Sequence, residues 1–172
     1  MTNNVQLISE ATLKKYSLIN DNVDACYIAP AIQKAQDMGL QPLIGTYLYD
    51  KICSLIIEGT IGDDANVNYK TLLDVYITPY LCQKVMSEIQ IPLFAKIRNS
   101  GILNSTDQQT QQLTMQEVEY IKRNFDQDAT FYGTRMVEYL CTNNTLFPEY
   151  RQIRDSADMQ ADHNSFNTHI VL

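Results

Sequence analysis

An all-α helical bundle is what this sequence predicts, on three observations. Apolar residues recur at three- and four-residue steps through three long segments, the pattern of helices with one buried face. Residues that cap, start or stop helices stand at the ends of those segments. Glycine and proline are scarce, six and five in 172 residues, as suits a mainly helical chain. The length fits one helical domain over residues 1–150 followed by an extended C-terminal tail over 151–172. A chain of this size buries roughly 70% of the surface its unfolded form exposes.

Taken in order, the chain opens polar, and then Val5, Leu7 and Ile8 alternate with Gln6 as a short extended segment or arm. Ser9 is placed to cap a brief helix from Glu10 to Tyr16, with Glu10 near its positive end. Asn20-Asp21-Asn22 reads as a loop, and Asp24 or Asp21 caps the next helix.

The stretch from Asp21 to Gly59 reads as an αα-hairpin around which the rest is organised. Ile28, Ala31, Ile32, Ala35 and Met38 form one apolar stripe; Ile44, Tyr47, Leu48, Ile52, Leu55 and Ile56 form the other. Gly39-Leu40-Gln41 is the expected connector, with Gly39 supplying a left-handed residue. Pro42 suits the following first turn, where a missing N–H costs nothing, and Gly59 closes the second helix. So short a connector lays the two helices against each other. Pro30 lies inside the apolar pattern and predicts a bend in a helix that begins near Asp24.

Residues 60–67 form a polar loop. Asp63 and Asp64 fall short of the about five spaced oxygen ligands a calcium loop needs. Asn68 is then expected to cap the most apolar helix, whose residues Tyr69, Leu72, Leu73, Tyr76, Ile77, Tyr80, Leu81, Val85 and Ile89 cover over half its circumference. Such a helix is central and packed from several sides, bent at Pro79 and ended or redirected at Pro92. In the next segment Lys96 and Arg98 alternate with apolar residues, and Asn99-Ser100-Gly101 signals a turn before Ile102.

The segment STDQQTQQ is a wholly polar loop. Thr114-Met115-Gln116-Glu117 has the form of a capping box and opens the long C-terminal helix. Its stripe is Val118, Ile121, Phe125, Ala129, Tyr132, Met136, Tyr139 and Leu140. Gly133 costs that helix about 1 kcal/mol relative to alanine, which predicts close packing by a neighbour. Asn143-Asn144 ends it, and Pro148 makes a turn. The tail from Gln152 is polar and aperiodic yet finishes in Ile170-Val171-Leu172. Two readings stand for it: a segment that orders on a partner, or an untethered terminus.

The net charge is −7, and the thirteen basic residues are scattered, with Lys14–Lys15 and Lys122–Arg123 the adjacent pairs. That lacks the basic patch with which a protein grips nucleic-acid phosphates, while an acidic wall lets DNA pass without sticking. Cys26, Cys53, Cys82 and Cys141 are far apart, with no CxxC pair, and read as buried free thiols in a reducing cytoplasm. No basic-then-apolar leader opens the chain, and no apolar run reaches the roughly 18 residues of a membrane span. His163 and His169, the two histidines, both lie in the tail, and no nucleophile, phosphate-loop or metal-ligand motif occurs. The expectation is a soluble, non-enzymatic chain without cofactor or metal. Eleven tyrosines, many at helix-stripe positions, suit half-buried surfaces and subunit contacts.

The segments ISEATLKKYS, DNVDACYIAPAIQKAQDMGLQPLIGTYLYDKI, YKTLLDVYITPYL, KIRNSGIL and FYGTRMVEYL resemble, in order and character, the phage head–tail connector proteins, also called adaptors or head completion proteins. Together they span roughly residues 7 to 150, the acidic loop leading into IAPAIQKAQDMGLQPLIGTYLYDKI being the specific part. The likeness is greatest to connector-like proteins of phages of Bacteroides-type hosts, including the crAss-like group. The resemblance implies an all-helical virion protein that forms a ring, usually twelvefold, under the portal at the head–tail junction. It implies a lengthened DNA channel, through which DNA passes without specific binding, and a docking surface for the tail or further neck rings. No catalytic residues carry over.

On this reading the subunit or portal interface falls to Lys96, Arg98, Asn99, Ile102, Tyr150, Ile170, Val171 and Leu172. Residues after Arg151 and the loop from Asn104 to Leu113 act between subunits rather than within one, being too polar for a core and long for a connection. The alternatives are another helical tail-completion component, a non-viral helical protein-binding module and, more distantly, an enzyme. Ring formation with portal binding separates the virion readings from the others.

Overall fold

The computed structural model describes residues 5–17, 25–98, 101–104, 114–151, 159 and 161, and they form an all-α bundle. Helix α1 (Glu10–Tyr16) begins as expected: Ser9 is extended and its hydroxyl accepts the Thr12 N–H at 3.0 Å. The arm ahead of it buries Leu7 and Ile8. A single buried amide holds it. Leu7 N–H donates to Gln36 Oε1 at 2.8 Å, while Gln36 Nε2 donates to the Val5 carbonyl at 2.9 Å and the Tyr49 hydroxyl at 3.0 Å. A glutamine with both polar ends satisfied is cheap to bury, and it ties three segments together.

Helix α2 (Ala25–Lys34) continues through a π-helical turn (Ala35–Leu40) straight into α3 (Gln41–Ile57). The expected break at Gly39-Leu40-Gln41 is therefore displaced. The helix instead kinks at Gly45, whose φ of 76° and ψ of 156° leave helical geometry, and α2 packs on α5 rather than along α3 as the expected hairpin would. Gly39 has no positive φ and is needed for a different reason: a Cβ there would stand 2.8 Å from the Tyr80 hydroxyl. The π turn also moves the buried face by inserting a residue into the helical count. Met38, expected in the stripe, is 71% exposed, whereas Gln36, Gly39 and Leu40 are buried. Beyond Gly45 the stripe returns to phase, with Leu48, Ile52 and Leu55 buried. Gly59 ends α3 at φ 70°: its N–H reaches the Ile56 carbonyl and the Thr60 N–H the Leu55 carbonyl, the paired bonds of a Schellman cap.

The polar loop contains a 3-10 turn (Asp64–Asn66), so the central helix starts at Val67 rather than after an Asn68 cap. Asn66 instead donates its side-chain amide to the Thr60 carbonyl at 2.9 Å. Helix α4 (Val67–Thr71), a second π turn (Leu72–Ile77) and α5 (Thr78–Phe94) follow without interruption. This π turn, like the first, ends two residues before a proline. Gln41 N–H bonds the carbonyl five residues back at Gln36, before Pro42, and Thr78 N–H bonds that of Leu73, before Pro79. The widened turn gives room to a ring that would otherwise strike the carbonyl four residues back. Helix α5 packs on α2, α6 and the first π turn, with Leu81, Val85 and Ile89 fully buried, as a central helix should be.

Pro92 sits in the last turn of α5, which runs on to Phe94. Two short strands then pair antiparallel: β1 (Ala95–Arg98) with β2 (Gly101–Asn104), in the register Lys96↔Leu103, Ile97↔Ile102 and Arg98↔Gly101. They are a small addition to the helical fold at the place where the sequence signalled a turn.

Helix α6 (Met115–Thr142) opens on the capping box. Glu117 N–H donates to Thr114 Oγ1 at 3.3 Å, and Thr114 N–H donates to the Glu117 carboxylate at 2.7 Å. That backbone bond holds the Glu117 carboxyl below its ordinary value. Val118, Ala129, Gly133, Met136 and Leu140 are buried along the expected stripe. Asn143 closes the helix with both its N–H groups on the Tyr139 carbonyl at 2.9 Å. The chain then folds back in a 3-10 turn (Pro148–Arg151) against α3, seating Phe147 among Tyr69 and Tyr139.

All four cysteines are free. Burial pushes the thiols of Cys53 and Cys82 up to about 11. Cys26 is exposed, contrary to expectation, because it lies two residues before Ile28 and so on the opposite side of α2. The described part of the tail also departs from expectation. Thr46 N–H donates to the Met159 carbonyl at 3.1 Å and Met159 N–H to Thr46 Oγ1 at 3.2 Å, so at this point the tail is bound within its own chain.

Candidate assembly surface

The eight residues expected at an interface do not form one group. Tyr150 is in the core, 3% exposed, its hydroxyl 3.9 Å from Cys141 Sγ. Its assignment to an interface is corrected: the 3-10 turn after Pro148 rotates Phe147 and Tyr150 inward together. Lys96, Arg98 and Ile102 come together along the β1–β2 hairpin, where Ile102 pairs with Ile97 between the positions of Lys96 and Arg98. Asn99, Ile170, Val171 and Leu172 lie outside the described residues, as do His163, His169 and residues 105–113 of the polar loop.

Two of the large exposed apolar side chains stand on α6. Tyr120 and Phe131 are 64% and 65% exposed. They are eleven residues apart, three helical turns, and so stand almost in line. Arg123, Asn124, Gln127 and Asp128, also exposed, surround them. Phe131 is braced by Tyr132 at its edge, with ring centres 5.5 Å apart. Two large aromatic side chains set in a polar helix face match the composition of protein contact surfaces. The sequence carried a signal for them: both are large apolar residues that fall out of phase with the buried stripe.

Behind this face a chain of charges ties three helices. Lys34 of α2 meets Glu88 at 2.6 Å, Lys84 meets Glu88 at 3.2 Å and Asp126 at 2.9 Å, and Lys122 of α6 meets Asp126 at 2.7 Å. Burial raises the Asp126 carboxyl, but the bonds from Lys122 and Lys84 outweigh it and bring it down to about 2. Burial acts the same way on Glu88, and Lys34 and Lys84 again prevail, holding it below its ordinary value. For Lys84, desolvation is outweighed by the two carboxylates and the ammonium is stabilised. Three of the thirteen basic side chains are thus neutralised within the bundle. Beside this chain a cleft of about 300 Å³ is lined by Leu43, Tyr80, Lys84, Asp126, Ala129 and Thr130.

Among the described residues no group of three or more His, Cys, Asp or Glu side chains could hold a metal ion, and no helix is long and apolar enough to cross a membrane. A family model, described as "Family of unknown function (DUF6712)", matches residues 40–158. The chain belongs to the DUF6712 family. The DUF6712 match begins at the end of the first π turn and takes in the Gly45 kink, the central helix, the hairpin and all of α6. No curated protein and no solved structure matches the chain significantly.

Proposed function

We propose that this DUF6712 protein is a structural virion component, a head–tail connector that forms a ring beneath the portal. The ring extends the DNA channel and offers a docking surface to the tail or to further neck proteins. The observation that carries the reading is the outer face of α6, where Tyr120 and Phe131 stand exposed on a rigid helix of 28 residues. A helix of that length runs about 42 Å and can span a subunit boundary. The net charge of −7 suits a wall that DNA slides past without adhering. The segment resemblance supplies the identity of the assembly, usually twelvefold, and its place at one capsid vertex. In this reading the protein has no catalytic role and needs no cofactor.

The test is an electron micrograph of the purified full chain, alone and mixed with the portal protein of the genome that encodes it. Rings with a central opening, stacked on portal in the mixture, are the expected result. A monomer that ignores the portal overturns the reading. Tyr120→Glu with Phe131→Glu should abolish rings while leaving the circular dichroism spectrum and melting temperature nearly unchanged.

A further inference from the structure

We infer that the β1–β2 hairpin is where this acidic protein touches duplex DNA, through the face of the ribbon that carries Lys96 and Arg98. The inference rests on the connector reading, which brings DNA to the protein, and adds the point of contact.

Three observations converge on the hairpin. The first is its place in the fold. Among the described residues, β1 packs on β2 and on α5, the helix it continues, while β2 packs on β1. The ribbon therefore stands at the end of the central helix rather than within the bundle. The second is register. Antiparallel partners share a face and successive residues alternate faces, so Lys96 and Arg98 share one face with Leu103 and Gly101. Ile97 and Ile102 belong to the other. The third is charge. No Asp or Glu occurs between Glu88 and Asp107, so this stretch is cationic in a chain of net charge −7.

Basic groups elsewhere are largely engaged. Lys34, Lys84 and Lys122 belong to the charge chain, Lys14 pairs with Glu10, Lys70 pairs with Asp74, and Arg135 lies over the Tyr76 ring. The hairpin instead puts two cations two residues apart on one strand, a separation of about 6.6–6.8 Å. That is about two base-pair rises of one DNA strand, which carries one phosphate per 3.4 Å of axis. A two-stranded ribbon is also narrow enough to enter the major groove.

The face suits phosphate better than protein. Lysine is depleted in protein interfaces, and this face has no aromatic residue to act as an anchor. Gly101, opposite Arg98, adds no side chain to keep a phosphate away. Two cations per subunit give a weak, sequence-independent contact, while the acidic remainder repels the duplex. Such a contact guides DNA without holding it.

The contact is read by fluorescence anisotropy, with the full-length chain titrated onto a labelled 30-base-pair duplex from 20 to 200 mM salt. Binding is expected at the low end. Lys96→Gln with Arg98→Gln should weaken it about tenfold at 50 mM salt and lower the slope of log affinity against log salt by about 1.8, the loss of two phosphate contacts. Lys70→Gln with Arg123→Gln removes the same charge elsewhere and should leave that slope unchanged. Equal slopes for the two double variants, or no binding at 20 mM salt, overturn the inference. So does poly-glutamate that displaces the duplex at equal charge and loses affinity in the same hairpin variant, since the partner is then an acidic protein. Rings on portal without this DNA contact would remove the inference and leave the connector reading intact. The contact without rings would do the reverse.

Discussion

Two stretches of this chain pose the same local problem and solve it differently. Residues 35–45 and 72–81 each contain a π turn that ends two residues before a proline, Pro42 in the first and Pro79 in the second. After Pro79 the helix simply continues into Tyr80 and Leu81, both buried, and the central rod is preserved. After Pro42 it lasts only to Ile44 before Gly45 takes a conformation that side chains avoid and the helix kinks. A proline preceded by a widened turn therefore does not end a helix in this protein. A glycine forced to positive φ does.

The largest effect expected on either side of this comparison comes from the core that both stretches serve. Ile52→Ala beyond the first and Leu81→Ala beyond the second remove side chains that are fully buried. Each should cost about 2–5 kcal/mol in urea unfolding, and a loss below about 1 kcal/mol at either site would show that the helix is not packed there.

The two glycines come next. Gly45→Ala must hold a side chain at φ 76° and press on Ala161, and should lose about 2–3 kcal/mol. Gly39→Ala keeps helical geometry and meets side-chain atoms, the Tyr80 hydroxyl and the Lys84 stem, so part of its clash relaxes and its cost should be smaller. Equal costs would mean that the kink is not set by Gly45.

A smaller change, Gln36→Leu, tests what the first π turn gains by rotating a polar residue inward. It strands Leu7 N–H and the Val5 carbonyl, for about 1–2 kcal/mol. Hydrogen exchange at the Leu7 amide should accelerate sharply, whereas amides of α6 should respond only through global stability.

The smallest effect concerns the charges that brace α5 against α6. The folded Asp126 carboxyl stands at about 2, below its ordinary 3.8, so its contribution is complete above about pH 4 and is lost as pH falls toward 2. With the side chain one-third exposed, solvent screening reduces that contribution to about 1 kcal/mol. Asp126→Asn should lose this amount at pH 7 and show a flatter acid limb between pH 4 and 2. An unchanged limb would place the acid sensitivity elsewhere.

What the sequence determined by itself is what depends on neighbours a few residues away. Ser9 and Thr114 cap their helices, Gly59 closes α3, and the stripe of α6 is buried or half-buried from Val118 to Leu140, because each of these is decided within a turn or two. The all-α class follows from the same periodicity, as does the central position of the helix around Leu81 and Val85. Only the tertiary structure decided the rest. Gly39 is small because Tyr80, forty-one residues later, needs the space; Met38 faces outward because a π turn shifts the count; Tyr150 turns inward to fill the gap beside Phe147. The aromatic face of Tyr120 and Phe131 was visible as letters out of phase, but it became a surface only when the bundle left that side of α6 uncovered. A helix records in its own residues where it begins and which side is apolar, whereas an inserted turn or a donated cavity is set by the partner packed against it.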